Sequence, residues 1–170
     1  MNRAVFFDRD GVLNELVNRD GGFYSPRAVK DFQLVPEVGD VISKIKSKGY
    51  LCITISNQPD VARGHLERLE LDRMTQILVT SLDLDDVLYC FHDDSDECDC
   101  RKPEPGLLFE GRERWNLDLS LSLMVGDTVK DLEAARAANV RFYLLDCNYN
   151  RFLQAENRIE SLKDIIGFLN

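Results

Sequence analysis

The sequence lacks any apolar run that approaches the roughly 18 residues needed for a membrane-spanning helix. It also lacks the layout of a secretory signal peptide, because Met1–Asp10 leads directly into a strand-like segment. Neither an internal repeat nor a low-complexity segment is visible. With 44% hydrophobic and 30% charged residues, the composition is typical of a globular domain. We therefore expect a cytoplasmic protein with no membrane partner.

Positive charge is also scarce. Only 21 lysine and arginine residues face 30 aspartate and glutamate residues, which gives a formal net charge of −9. Because a negative overall field repels polyanions, binding to nucleic acid is not expected. An anionic small molecule would have to be held locally, by a metal ion and a few basic side chains.

A chain of 170 residues suits one domain, spanning 1–170. Apolar strand-like runs alternate with helical patterns, which predicts an α/β fold. Its sheet should be doubly wound, Rossmann-like and mainly parallel, with helices on both faces and no separate cap domain. The predicted strands are Ala4–Phe7, Tyr50–Ser56, Val87–Phe91, Leu121–Val125 and Arg141–Leu145. The predicted helices are Pro36–Lys48, Leu66–Leu82, Pro105–Trp115, Val129–Val140 and Ser161–Leu169.

Two aspartates follow the first predicted strand, at the edge where open α/β sheets bind ligands. Asp8 and Asp10 are separated by one residue, and the chain can turn at Gly11. One carboxylate can attack phosphorus while the second handles a proton. On its own, this short motif fits an acidic surface loop about equally well.

Polar residues also follow two other predicted strands, namely Ser56 and Asn57 after the second and Asp127 and Asp131 after the fourth. In a parallel sheet these residues reach the same edge as the first aspartates. The segment Glu15–Gln33 predicts a hairpin or flap beside them, with Phe23 and Tyr24 at its tip. A plain surface hairpin is the alternative.

Three of the five cysteines lie close together, and an odd number in a reducing compartment disfavours disulfides. Two tight pairs of soft or borderline ligands predict a closed, structural zinc site. The alternative is a metal-free acidic loop. The four predicted zinc ligands are Cys90, His92, Cys98 and Cys100.

Four motifs together resemble the haloacid dehalogenase superfamily of phosphatases, and the resemblance covers nearly the whole chain. Within that superfamily, the sequence is similar to the branch that contains heptose bisphosphate phosphatases and histidinol-phosphate phosphatases. That branch also carries paired cysteine and histidine ligands and a CRKPxPG segment. The motifs are DRDG (Asp8–Gly11), SNQ (Ser56–Gln58), RKP (Arg101–Pro103) and GDTVKD (Gly126–Asp131).

The resemblance implies a role for each matching residue. Asp8 would form an aspartyl-phosphate and Asp10 would be the general acid and base. Ser56 and Lys102 would hold the transferring phosphoryl group, with Arg101 beside them. The Mg²⁺ ligands would be Asp8, the Asp10 carbonyl and Asp127. Independently of the resemblance, Asp131 lies one helical turn beyond Asp127, so we expect it to orient Lys102 or a metal-bound water; an ordinary acid in the first turn of a helix is the alternative. The predicted substrate-binding residues are Asn57, Gln58, Phe23 and Tyr24.

We therefore expect a Mg²⁺-dependent phosphomonoester hydrolase that acts, as a monomer, on a heptose bisphosphate or a related sugar phosphate. A histidinol-phosphate phosphatase is the alternative within enzymes, and an inactive zinc-stabilised binding module is the alternative from another class. Two features depart from the branch. Pro59 and Asp60 follow the SNQ motif in place of a small residue and glycine, and the zinc loop is short between its ligand pairs.

Overall fold

The fold is built around β1 (Ala4–Phe7), whose four residues are fully buried. A strand covered on both faces needs such an unbroken apolar run. In the computed structural model, which describes residues 1–169, β1 lies between β4 (Leu51–Asn57) and β6 (Leu123–Gly126). It pairs in parallel with both neighbours.

Three more strands complete the sheet, namely β5 (Asp86–Cys90), β7 (Arg141–Leu145) and β8 (Arg158–Ile159). Within the described residues its six strands lie in the order β5-β4-β1-β6-β7-β8, and every pairing is parallel. The strand order changes direction at β1, since β4 lies on one side and β6 on the other. This change of direction opens a crevice at the carboxyl ends of β1, β4 and β6.

Helices cover both faces because alternate side chains of β1 point to opposite sides. The α-helices of the described residues are α1 (Val38–Ser47), α2 (Pro59–Ala62), α3 (Arg68–Leu82), α4 (Gly106–Trp115) and α5 (Val129–Ala137). Val5 and Phe7 pack with residues of α1 and α3, whereas Ala4 and Phe6 pack with residues of α4 and α5. The predicted fold class is therefore confirmed.

Several predicted boundaries were wrong by one or two residues, for local reasons. Glu37 adopts a left-handed conformation with φ of 65°, so α1 begins after it and not at Pro36. The segment after the SNQ motif forms the short helix α2, and α3 begins at Arg68 and not at Leu66 as predicted. Leu119–Leu121 forms a 3-10 turn, so β6 begins at Leu123.

The last predicted helix, Ser161–Leu169, is a 3-10 helix over Leu162–Phe168. Ser161 and Asp164 form a reciprocal capping box at its start. In the segment before it, Arg158 and Ile159 form β8 at the edge of the sheet, a strand that was not predicted from the sequence.

The predicted flap is an antiparallel hairpin of β2 (Val17–Arg19) and β3 (Gly22–Tyr24). Asp20 and Gly21 form its turn with φ of 51° and 82°, the left-handed pair that a two-residue hairpin favours. The expectation that Phe23 and Tyr24 form the tip was wrong, since both lie on β3. Between β1 and α1 the chain holds only this hairpin and one 3-10 turn, Val29–Asp31, so no separate cap domain is inserted.

None of the helices within residues 1–169 combines the length and the apolar character that a membrane span requires.

Candidate active site

A cavity of about 680 Å³ opens at the carboxyl ends of β1, β4 and β6. The strand ends bring together residues from distant parts of the sequence, as the sheet topology requires. Phe23 and Tyr24 lie at its mouth and are about half exposed. The cavity is lined by every residue predicted for catalysis, for substrate binding or for the Mg²⁺ site: Asp8, Asp10, Phe23, Tyr24, Ser56, Asn57, Gln58, Arg101, Lys102 and Asp127.

Lys102 lies at the floor of the cavity and is only 3% exposed. Its Nζ lies 2.8 Å from Asp8 Oδ1 and 2.6 Å from Asp131 Oδ1. Burial lowers the pKa of Lys102, but the carboxylates of Asp131 and Asp8 outweigh it and raise that pKa above its ordinary value. The ammonium group therefore stays charged inside the protein.

Asp131 contacts Lys102 with one carboxylate oxygen and caps the N-terminus of α5 with the other. Its Oδ2 accepts hydrogen bonds from the Thr128 N–H at 3.0 Å and the Thr128 hydroxyl at 2.6 Å. Thr128 and Asp131 form a capping box. Contact with Lys102, the first of the two roles considered for Asp131, is thus present in this structure.

Three carboxylates face this single ammonium group. One oxygen from each of Asp8, Asp127 and Asp131 lies within 4.8 Å of the other two. Burial, and then the Asp131 carboxylate, raise the pKa of Asp8 well above its ordinary range. The same two causes raise the pKa of Asp127 to about 7. The site therefore has a surplus of negative charge.

This donor set fits a hard divalent cation. Asp127 Oδ1 is buried and has no hydrogen-bond partner among the described residues. Buried polar atoms are rarely left unpaired, and a cation would supply the missing partner. Carboxylate oxygens are the ligands that Mg²⁺ prefers, and the ion typically keeps several waters. Asp8 and Asp127 are suited to hold it. Both oxygens of Asp131 are already bonded within the protein, Oδ1 to Lys102 and Oδ2 to Thr128, whereas Asp8 contacts Lys102 through Oδ1.

Asp10 is held by Arg9, a residue that the sequence reasoning did not select. Arg9 is 0% exposed, and its Nη2 lies 2.8 Å from Asp10 Oδ1 and 3.0 Å from Oδ2. Asn14 and Gln58 also donate to the carboxylate, at 3.0 and 2.7 Å. Burial raises the pKa of Asp10, but the Arg9 guanidinium and these hydrogen bonds outweigh it, so the pKa lies below its usual value.

The SNQ motif fixes its neighbours through side-chain amides. Gln58 Nε2 donates to Ser56 Oγ at 2.9 Å as well as to Asp10. The Asn57 side chain forms two hydrogen bonds with the backbone of Lys102. Its Nδ2 donates to the carbonyl at 2.9 Å, and its Oδ1 accepts from the N–H at 3.0 Å. Asn57 thus places Lys102. Pro59, the departure noted above, occupies the first turn of α2, where a missing N–H leaves no helical bond unmade.

The predicted zinc ligands form a compact cluster. The three Sγ–Sγ distances among Cys90, Cys98 and Cys100 are 3.1, 3.6 and 3.7 Å, and His92 Nδ1 lies 3.3 Å from Cys100 Sγ. Zn–S bonds of about 2.3 Å give sulfur separations of about 3.8 Å in a tetrahedron. None of these cysteines forms a disulfide. The four side chains therefore lie close enough together to hold one metal ion.

Arg101, next to Cys100, is hydrogen-bonded to residues 90–100, the segment that carries the four predicted zinc ligands and is called the cysteine loop below. Its Nε lies 2.8 Å from Asp94 Oδ1, and its Nη1 donates to the His92 carbonyl at 3.1 Å. The guanidinium therefore lines the cavity while its hydrogen bonds go to the loop and not to Asp8 or Ser56. The cysteine loop fixes where Arg101 is placed.

Tyr149 is a second residue that the sequence reasoning missed. It lines the cavity, and its hydroxyl donates a short hydrogen bond to Asp127 Oδ2. It follows β7, the next strand beyond β6, so the rule that selected the other strand ends could have found it. The segment after β7 matched none of the four motifs, so the sequence reasoning did not single it out.

The comparisons agree with this geometry. A family model for haloacid dehalogenase-like hydrolases matches residues 14–139, more than half of the chain. The chain belongs to that family. The resemblance inferred from the four motifs is thereby confirmed.

Curated relatives of similar length are phosphatases. The chain is 33% identical over 186 aligned positions to a D-glycero-beta-D-manno-heptose-1,7-bisphosphate 7-phosphatase of Haemophilus ducreyi, covering 99% of this chain and 98% of that one. It is 34% identical over 149 positions to the enzyme of the same name from Escherichia coli K12, covering 81% and 75%. The predicted enzyme class, a phosphatase, agrees with both.

Among solved structures, the D,D-heptose 1,7-bisphosphate phosphatase from B. bronchiseptica, complexed with magnesium and phosphate, matches with a TM-score of 0.86. The match covers 98% of this chain and 97% of that one at 24% identity. At that identity the likeness establishes the shared fold.

Proposed function

We propose that the protein is a Mg²⁺-dependent phosphomonoester hydrolase that works through an aspartyl-phosphate on Asp8. The observation behind this proposal is the buried ion pair of Asp8 with Lys102, which lies beside the carboxylates of Asp127 and Asp131. One ammonium group thus faces three carboxylates. A carboxylate nucleophile, a buried ammonium group and a hard-cation site are the parts that phosphoryl transfer needs. The inactive binding module has no support, because these parts are assembled.

Each residue has one task in the proposed reaction. The Asp8 carboxylate attacks the phosphorus atom, and Lys102 and Ser56 hold the equatorial oxygens. Mg²⁺, held by Asp8, Asp127 and the Asp10 carbonyl, would offset the negative charge of the phosphoryl group. Water then hydrolyses the aspartyl-phosphate and restores Asp8.

Asp10 is proposed to move the protons. It gives a proton to the leaving alkoxide and takes one from the attacking water. Arg9 holds the carboxylate in its ionised form, which suits the second of these steps. For the first step the carboxyl must gain a proton and turn from Arg9 toward the leaving oxygen.

The substrate is proposed to be a heptose bisphosphate. The full-length relatives carry that activity in their names, and the cavity volume suits one phosphorylated sugar. The hairpin and Arg101, which follows the cysteine loop, line the cavity, so they would contact the sugar. Histidinol phosphate is the second candidate, because it offers the same phosphomonoester on a smaller amino alcohol.

Phosphate release from purified protein tests this proposal. We expect Mg²⁺-dependent release from D-glycero-β-D-manno-heptose 1,7-bisphosphate with kcat/KM at least about tenfold above that for histidinol phosphate, since the sugar can contact more of the opening. EDTA should abolish both reactions. A preference for histidinol phosphate would reverse the substrate assignment, and turnover that survives EDTA would refute the Mg²⁺ site.

We further propose that the cysteine cluster holds a structural zinc ion, because all four positions are filled by protein ligands and none is left for substrate. Elemental analysis of protein purified without added metal should find about one zinc per chain. Cys98→Ser should lose the zinc and lower the melting temperature, because metal binding and loop folding are coupled.

Cys147→Ser makes the same change outside the cluster and should keep the zinc content. Full zinc content in Cys98→Ser, or none in the reduced and folded wild-type protein, would contradict a four-ligand site.

The role of Asp10 can be separated from that of Asp8 by changing the leaving group. Asp10→Asn should slow hydrolysis of a sugar phosphate by roughly 10²- to 10⁴-fold, because the alkoxide needs a proton. An aryl phosphate should suffer less in the first turnover, since its phenolate leaves without help. Pre-steady-state bursts on both substrates measure this difference, and equal losses would make Asp10 a structural partner of Arg9.

A further inference from the structure

The loop that follows β7 is fastened to the end of β6. The side-chain amide of Asn150, which is 6% exposed, donates to the carbonyls of Asp127 and Leu145 at 2.8 Å each. Its Oδ1 accepts from the Cys147 N–H at 2.9 Å. These three bonds fix the loop, so Tyr149 has a defined position.

Tyr149 then contacts the carboxylate of Asp127 itself. Its hydroxyl donates to Oδ2, while Oδ1 stays buried with no partner in the described part of the chain. One oxygen is therefore taken by the phenol and the other is left for a cation. The fit is tight. A Cβ on Gly11, whose φ is 85°, would overlap the Asp127 carboxylate and come within 2.7 Å of the Tyr149 hydroxyl.

The ring of Tyr149 has a second contact, on the hairpin. Its centroid lies 5.6 Å from that of Phe23 on β3, with the ring planes tilted by 44°. This lies within the range of attractive aromatic pairs. The Tyr149 hydroxyl is thus hydrogen-bonded to a proposed cation ligand, and the ring contacts the hairpin at the cavity mouth.

We propose that Tyr149 is a positioning residue that orients Asp127 for the divalent cation and couples cation binding to the position of the hairpin. The inference rests on the Mg²⁺ site of the proposed function. A hydrogen-bond donor outside the ligands fixes how a ligand points and commonly changes metal affinity by about 10- to 100-fold. Since coupling between two sites is reciprocal, bound cation should also steady the hairpin.

The first test measures Mg²⁺ affinity by calorimetry, without substrate or turnover. Tyr149→Phe keeps the ring against Phe23 and removes only the donor, so we expect the dissociation constant to rise about tenfold. Tyr143→Phe removes the same hydroxyl from a tyrosine that packs on Phe168 and should bind Mg²⁺ as the wild type does. Asp127→Asn should lose nearly all binding.

These variants separate two failures. If Asp127→Asn binds Mg²⁺ as well as the wild type, the proposed metal site is wrong. If Asp127→Asn loses binding while Tyr149→Phe matches the wild type, the metal site stands and the positioning role is refuted.

The second test follows trypsin cleavage at Arg19 in the hairpin, with and without Mg²⁺. Mg²⁺ should slow cleavage in the wild type. In Phe23→Ala the hydroxyl contact with Asp127 is kept but the ring contact is lost, so Mg²⁺ should still bind without slowing cleavage. Equal protection in the wild type and Phe23→Ala would overturn the coupling.

Discussion

The Asp8→Asn variant is expected to lose turnover on every phosphomonoester, by about 10⁴-fold or more, because an amide cannot form the acyl phosphate. The fold should survive. The asparagine side chain is nearly the same size, and Lys102 keeps its second partner, Asp131, at 2.6 Å.

Stability gives this variant a second readout. Burial and neighbouring carboxylates raise the pKa of Asp8 in the folded protein, so the folded state binds this proton more tightly than the unfolded chain does. The ionised Asp8 then costs stability as pH rises above the unfolded value of about 3.9. Without divalent cation at pH 7.5, Asp8→Asn should melt no lower than the wild type. Added Mg²⁺ should stabilise the wild type more than the variant.

A single-turnover assay and a thermal melt check both statements, with intact mass confirming that the asparagine has not deamidated. Asp72→Asn makes the same change on the exposed face of α3 and should leave both measurements unchanged. Near-normal activity in Asp8→Asn would remove Asp8 from the nucleophile's role.

The sheet was predictable because burial on both faces leaves a strong mark in the sequence. β1 is an unbroken apolar run, β4 is rich in β-branched residues and buried along most of its length, and polar residues stand at the carboxyl end of each. Boundaries were less predictable. Glu37 adopts a left-handed φ that favours glycine or asparagine, and β8 spans only two residues, too few for any periodicity.

Arg9 and Tyr149 escaped prediction because their contacts depend on burial and on tertiary packing, which no local motif records. Arg9 lies between two aspartates in the sequence, a position typical of a solvent-exposed charge, yet it is fully buried against Asp10. Tyr149 reaches Asp127 only because Asn150 fastens its loop. Arg101, by contrast, was predicted beside the phosphoryl group and does line the cavity, while its hydrogen bonds go to Asp94 and His92 of the cysteine loop.

Removing the charge of Lys102 is expected to have the largest effect on stability. Lys102→Met keeps an unbranched side chain but leaves Asp131, which is 0% exposed, without its cation. Breaking a buried ion pair in this way costs roughly 3–5 kcal/mol. For a chain of this size, that cost should lower the melting temperature by roughly 6–20 °C in the absence of divalent cation. Lys130→Met, an exposed change at the same rim, should shift it little.

A double variant shows whether the loss comes from unpaired charge or from poor packing. If carboxylate charge is the cause, adding Asp131→Asn to Lys102→Met should recover much of the melting temperature, and the single variant should also recover as pH falls toward 4 and the cluster gains protons. Mg²⁺ should restore part of it as well, because a second cation then faces the same carboxylates. Turnover should not return under any of these conditions, since no ammonium group remains to hold the phosphoryl oxygens. A melting temperature that stays low in the double variant would mean that unpaired carboxylate charge is not the cause of the loss, and that the carboxylate cluster tolerates its charge without a permanent partner.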